Sequence, residues 1–160
     1  STEQREHPVA IRVPGAVIHG EKPTKDYGIL NKYETVQKGS GAAIIALGTF
    51  FGMGKQAAEL IEKKTGVKPT LINPVYITGI DEELLESLKK DHKAVVTLED
   101  GILDGGFGEK IARFYGDSDM RTVNFGLKKE FLDRYDANEV LRQNGITPEQ
   151  IADRAAELIK

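Results

Sequence analysis

Cysteine is missing from all 160 residues, which excludes a disulfide framework, a zinc–thiolate site and a thiol nucleophile. A cysteine-free chain suits a reducing compartment, and the cytoplasm is the expected location. No apolar run reaches the length of about 18 residues that a membrane span needs, so no membrane contact is expected. Residues 1–8 are polar and form neither a signal peptide nor a transit peptide. Charge of one sign is also lacking. Lys and Arg number 22 against 25 Asp and Glu, a net charge of −3, which gives no nucleic-acid footprint.

The usual catalytic patterns are absent as well. His7, His19 and His92 are scattered without metal-ligand spacing, and read as surface or structural residues. Ser40, Ser87 and Ser118 lack the G-x-S-x-G setting of a hydrolase nucleophile. By its own chemistry the chain shows no catalytic, cofactor-binding or metal-binding residue.

What is present is an ordinary globular composition, 39% apolar and 29% charged, of a length that one α/β domain fills. Residues 8–13 read as a strand stopped by Pro14 and Gly15. From Val17 to Gly41 the chain is polar and glycine-rich, a linker with short edge pieces around Tyr33–Val36. Ala43 to Leu47 is a continuous apolar run, as in a strand buried on both faces. Beyond a Gly48–Gly54 turn, Met53, Ala57, Leu60 and Ile61 fall at helical spacing, and Gly66 ends that helix.

Residues 70–72 and 75–77, around Asn73 and Pro74, read as a broken strand. Asp81 is an N-cap for a short helix through Leu88. A strand over 94–98, a helix over 107–115 and a strand over 121–124 follow. Thr147, Pro148 and Gln150 then form a capping box with proline at N1, and Ile151, Ala155 and Leu158 stripe the last helix. This alternation predicts a three-layer α/β/α domain over 42–160, with a mostly parallel five-stranded sheet.

Three motifs stand at strand–helix corners. Gly48, Gly52, Gly54 and Lys55 imitate a phosphate-binding turn, but Thr49 stands where the P-loop needs glycine and Gln56 where it needs Ser or Thr. A tight structural turn is the better reading. Gly105, Gly106 and Gly108 permit close backbone approach for a ligand, for packing or for an interface. The acids before them would repel a phosphate, which favours packing or interface. Glu99 and Asp100 end a parallel strand, where open α/β sheets bind ligands. Neighbours in a strand point to opposite faces, so they do not form an acid–base pair. Each is expected to cap the following turn or to pair with a basic group across an interface.

The block from His92 to Asp100 with Gly105, Gly106 and Gly108 resembles the C-terminal domain of the transketolase superfamily, and within it the 1-deoxy-D-xylulose-5-phosphate synthases. Residues 8–14, 43–48, 80–85, 123–127 with Phe131, and 144–147 resemble further family segments in the same order. The resemblance implies that residues 1–20 end a preceding pyrimidine-binding domain and that 21–41 link it to this one. It implies a full-length transferase using thiamine diphosphate and Mg²⁺, both bound outside this chain. The expected partners are the rest of the polypeptide and a second subunit. Two family arginines implicated in gripping an acceptor phosphate find no counterpart, because Val13 to Ala16 and Val75 to Asp81 carry none. That points to a divergent paralogue with a different acceptor. A freestanding α/β binding or regulatory module is the other reading of the residues.

Overall fold

A computed structural model describes Pro8, Ala10 and residues 29–160. The strand expected over 8–13, His7, His19 and the segment 13–16 lie outside the described residues, apart from Pro8 and Ala10, which are exposed. Among the described residues five strands form one sheet: β1 (Glu34–Gln37), β2 (Gly41–Ala46), β3 (Thr70–Asn73), β4 (His92–Ile102) and β5 (Arg121–Leu127). Their spatial order is β1-β3-β2-β4-β5. All neighbours pair in parallel except β1, which runs antiparallel to β3. β1 falls on the edge piece expected around Tyr33–Val36.

Helices cover both faces. On one, α1 (Phe51–Thr65) and α5 (Pro148–Ile159) bury Ala57, Ile61, Ile151 and Ala155 against Ile44, Val96 and Leu98. On the other, α2 (Glu82–Leu88) and α3 (Phe107–Tyr115) bury Leu85, Ile111 and Tyr115 against Ala43, Ile45, Ile72 and Val95. Alternate residues of β2 and β4 thus serve opposite cores, the reason both strands read as unbroken apolar runs. Each fully buried aliphatic side chain contributes about 1.5–3 kcal/mol. This is the expected α/β/α sandwich.

The expected caps form. Asp81, 6% exposed, accepts from the Leu84 amide at the start of α2. It also accepts from the Tyr33 amide and the Lys32 amine, tying the entry segment to that helix. Thr147 accepts from Gln150 with Pro148 in the first turn, and Gly66 closes α1 at φ 73°.

Five elements differ from expectation. Residues 75–77 form no strand, because Pro74 has no N–H to give and Val75 turns to φ 48°. A 3₁₀ turn at Gly48–Phe50 leads α1 to begin at Phe51, inside the glycine stretch. Both β4 and β5 run further, to Ile102 and Leu127, which pair with each other. An additional helix, α4 (Ala137–Gln143), is capped by Asp136 on the Glu139 amide.

Two glycines of α1 respond oppositely to a methyl group. A Cβ at Gly54 would stand 2.7 Å from the Ala46 Cβ, whereas at Gly52 it meets nothing within 4 Å. Gly54→Ala is expected to cost roughly 1–3 kcal/mol by overpacking, and Gly52→Ala to gain up to about 1 kcal/mol. Urea midpoints would show both signs.

The Tyr115 hydroxyl donates to the Leu85 carbonyl at 2.7 Å, joining α3 to α2. Burial, with Glu86 nearby, pushes its phenol well above the usual value. Stability from the neutral phenol is complete below the unfolded value of about 10 and declines as pH rises beyond it. Tyr115→Phe is expected to lose less stability than the native chain between about pH 9 and 11, read by denaturation at each pH.

Candidate functional site

The strand order reverses between β2 and β4: β2 leads through α1 to β3 on one side, and β4 lies on the other. Open α/β sheets bind ligands in the crevice outside the carboxyl ends at such a point. Leu47 to Thr49 and Glu99 to Ile102 stand there, held by the Leu47 amide donating to the Leu98 carbonyl at 2.9 Å.

Glu99 and Asp100 go to opposite sides of β4, as strand alternation requires. Glu99 is 5% exposed and turns toward α3. Its two oxygens accept from the amides of Phe107 at 2.8 Å and Gly108 at 2.9 Å. These donors belong to the first turn of α3, where a helix leaves amides unpaired and carries partial positive charge. A buried carboxylate is costly when unpaired, and here charge-assisted bonds satisfy it.

Glycine makes the room. Gly105 adopts φ 73°, and the Gly106 amide donates to the Leu103 carbonyl at 2.9 Å to close the turn. A Cβ at Gly106 would collide with the Glu99 carboxylate. At Gly108 it would stand 2.7 Å from both the Thr97 Oγ1 and the Asn124 side chain, and at Gly126 3.1 Å from the Glu99 Cγ.

Asp100 is exposed, with the Thr49 hydroxyl at a long 3.5 Å. The Gly48–Lys55 turn and the Gly105–Gly108 turn thus share one end of the sheet, on opposite sides of β4. Sequence reasoning missed Thr97 and Asn124, which press on Gly108, and Gly126, which presses on Glu99. Thr97, fully buried, donates to Asn124 Oδ1 at 2.9 Å. Its signal was a lone hydroxyl in an apolar strand. Tyr33 was missed too: its ring lies 6.2 Å from that of Phe107, a contact that no local pattern announces.

His92 is structural. Its Nε2 meets the Thr70 hydroxyl at 2.8 Å, and its Nδ1 faces the Leu88 carbonyl at 3.1 Å and the Asp91 carboxylate at 2.6 Å. The Thr70 oxygen accepts from the Gly39 amide at 3.0 Å. The two acceptors facing Nδ1, the Leu88 carbonyl and the Asp91 carboxylate, call for a proton on that nitrogen. A groove of about 650 Å³ opens near it at the amino end of the sheet, rimmed by Lys89, Lys93, Arg121 and Lys160 with Asp117 and Asp119.

No group of three or more His, Asp or Glu that could hold a metal gathers among the described residues. The start of α3, which would suit an anion, already receives Glu99.

The chain matches the family described as transketolase, C-terminal domain, over residues 31–151. It is 31% identical over 156 residues to the 1-deoxy-D-xylulose-5-phosphate synthase of Shouchella clausii, covering 95% of this chain and 25% of that protein. To the synthase of Clostridium perfringens strain SM101 it is 34% identical over 158 residues, with the same two coverages. The chain thus spans about a quarter of the length of the curated relatives it matches. A split gene transketolase described as an inactive beta4 tetramer shares the fold at TM-score 0.71 and 22% identity, over 81% of this chain and 44% of that one. A Pichia stipitis transketolase with sedoheptulose 7-phosphate does so at TM-score 0.55 and 18% identity, over 81% and 18%.

Glu99→Ala strands two buried amides and is expected to cost roughly 2–4 kcal/mol. Asp100→Ala, on the exposed side of the same strand, should stay within about 0.5 kcal/mol. Urea denaturation of the two variants checks the contrast.

Proposed function

Since the chain belongs to the transketolase C-terminal domain family, we propose that it is the C-terminal part of a thiamine-diphosphate-dependent transferase resembling 1-deoxy-D-xylulose-5-phosphate synthase. The observation that carries this reading is identity of about a third to such synthases along 95% of the chain. The parent reaction is decarboxylation of pyruvate and transfer of the two-carbon unit to glyceraldehyde 3-phosphate. Thiamine diphosphate, held with Mg²⁺ by other domains, supplies the carbanion chemistry when bound, and the protein supplies orientation.

In this reading the chain contributes no catalytic group. It serves packing and subunit contacts in a cytoplasmic homodimer, and completes a wall of the active site. Residues 1–20 end the pyrimidine-binding domain, and a linker leads from there into β1. Glu99 with Gly105, Gly106 and Gly108 keeps the β4–α3 corner rigid, and Asp100 is the acid available to an interface.

A second reading is a transketolase-like enzyme with another donor or acceptor. It is favoured by the segment from Val75 to Asp81, which offers Val75 and Ile77 to solvent and holds no guanidinium to grip a phosphate.

Turnover by the full-length protein decides between them. With thiamine diphosphate, Mg²⁺ and pyruvate, glyceraldehyde 3-phosphate is expected to be consumed with release of CO₂. Condensation only with unphosphorylated glyceraldehyde or another aldehyde would favour the second reading, and no use of pyruvate would sink the first.

A further inference from the structure

Five asparagines occur in the chain, and only Asn144 is followed by glycine. That pairing is prone to lose ammonia, because no side chain shields the following backbone nitrogen. The reaction is intramolecular. The Gly145 nitrogen gives up its proton and bonds to Asn144 Cγ, the Cγ–Nδ2 bond breaks, and ammonia leaves behind a five-membered imide. Water then opens the ring at one carbonyl to give aspartate, or at the other to give isoaspartate.

In the fold both reacting nitrogens are engaged. The Gly145 N–H, source of the nucleophile, donates to the Arg142 carbonyl at 3.2 Å. Asn144 Nδ2, the leaving group, donates to the Val140 carbonyl at 2.8 Å. Gly145 stands at φ 75°, and the Ile146 amide donates to the Leu141 carbonyl at 2.8 Å. Together these bonds close α4 on a left-handed glycine. Ile146, 1% exposed, and Leu141 pack in the same apolar cluster. Yet the helix so closed is weakly held. α4 has seven residues and none of them is buried, the kind of element that opens at low cost.

We propose that Asn144 is a latent self-modification site, silent while the end of α4 is closed and converted to aspartate or isoaspartate when that helix opens. The change runs one way. Aspartate has no N–H for the Val140 carbonyl and puts charge at the negative end of α4. Isoaspartate carries the chain through its side-chain carbon. The added backbone atom takes Gly145 and Ile146 out of register with Arg142 and Leu141. Either product favours the open helix and loosens the corner from which Ile146 leads into α5.

The test is incubation of the full-length protein in mildly alkaline buffer, then peptide mass analysis that separates asparagine, aspartate and isoaspartate at 144. A synthetic peptide of residues 137–149 gives the rate without the fold. Conversion in the native protein is expected to be at least about tenfold slower than in the peptide, as in a locally folded segment. Asp136→Ala removes the cap on the Glu139 amide and should speed conversion about fivefold, the usual weight of such a cap. Glu139→Lys sets a cation beside Arg142 in the first turn of α4 and should move the rate the same way. Hydrogen exchange in β2 and β4 reports that the sheet is intact in both variants. Equal rates in protein and peptide would overturn the proposal, because the closed helix end would then protect nothing. An unchanged rate in either variant would also overturn it, since opening of α4 would not be the gate. So would a peptide that does not convert.

Discussion

A carboxylate inside a protein must be answered by donors, and in this domain the answer comes from the backbone. The two oxygens of Glu99 take the first free amides of α3, so the end of β4 and the start of the helix behind it become one rigid corner. Much else follows from that fit. Glycine is required at 106, 108 and 126 because a side chain there would meet the carboxylate or its neighbours. Phe107 is presented to Tyr33, and Tyr33 gives its amide to Asp81. A second buried acid thereby fixes α2 and the entering chain to the same frame. The positive end of α3, the natural place for a phosphate in an open α/β sheet, is filled by the protein's own anion.

That occupancy explains why a sheet with nucleotide-binding topology looks chemically quiet. The strand order has a switch point, and glycine-rich turns stand at the carboxyl ends of β2 and β4. Yet one turn carries Gly54 pressed on Ala46, and the other closes over Glu99. Glycine serves packing in both places. The fold carries the topology of a ligand-binding sheet, and Gly54, Gly106 and Gly108 each admit a close neighbour at its carboxyl end.

Much of this was legible in the sequence. The apolar runs of β2 and β4, the Asp81 and Thr147 caps and the Gly66 stop each have a local cause, and each stands where the pattern puts it. The misses have physical reasons too. The 75–77 segment has strand-like side chains, but Pro74 and the turn at Val75 break its pairing. α4 has no buried residue and so no apolar stripe to see, although Asp136 and Glu139 form a readable cap. β4 resumes its pairing with β5 at Ile102 after a register shift across Glu99, Asp100 and Gly101, a long-range contact that local propensity does not announce. Glu99 could be read as a cap or an interface acid, but the long-range contacts of Thr97 and Asn124 with Gly108, and of Gly126 with Glu99, could not.

The outermost strand carries its own consequence. β1 is four residues long, runs against the direction of the rest, and slips register between Thr35 and Gln37. An open sheet border is a template on which another chain can add itself, and long straight borders grow into fibres. A short border with a register slip, followed at once by Lys38 and Gly39, offers too few well-spaced donors and acceptors to be copied. Among the described residues the sheet ends at β1, and so short and irregular a border makes a poor template for growth.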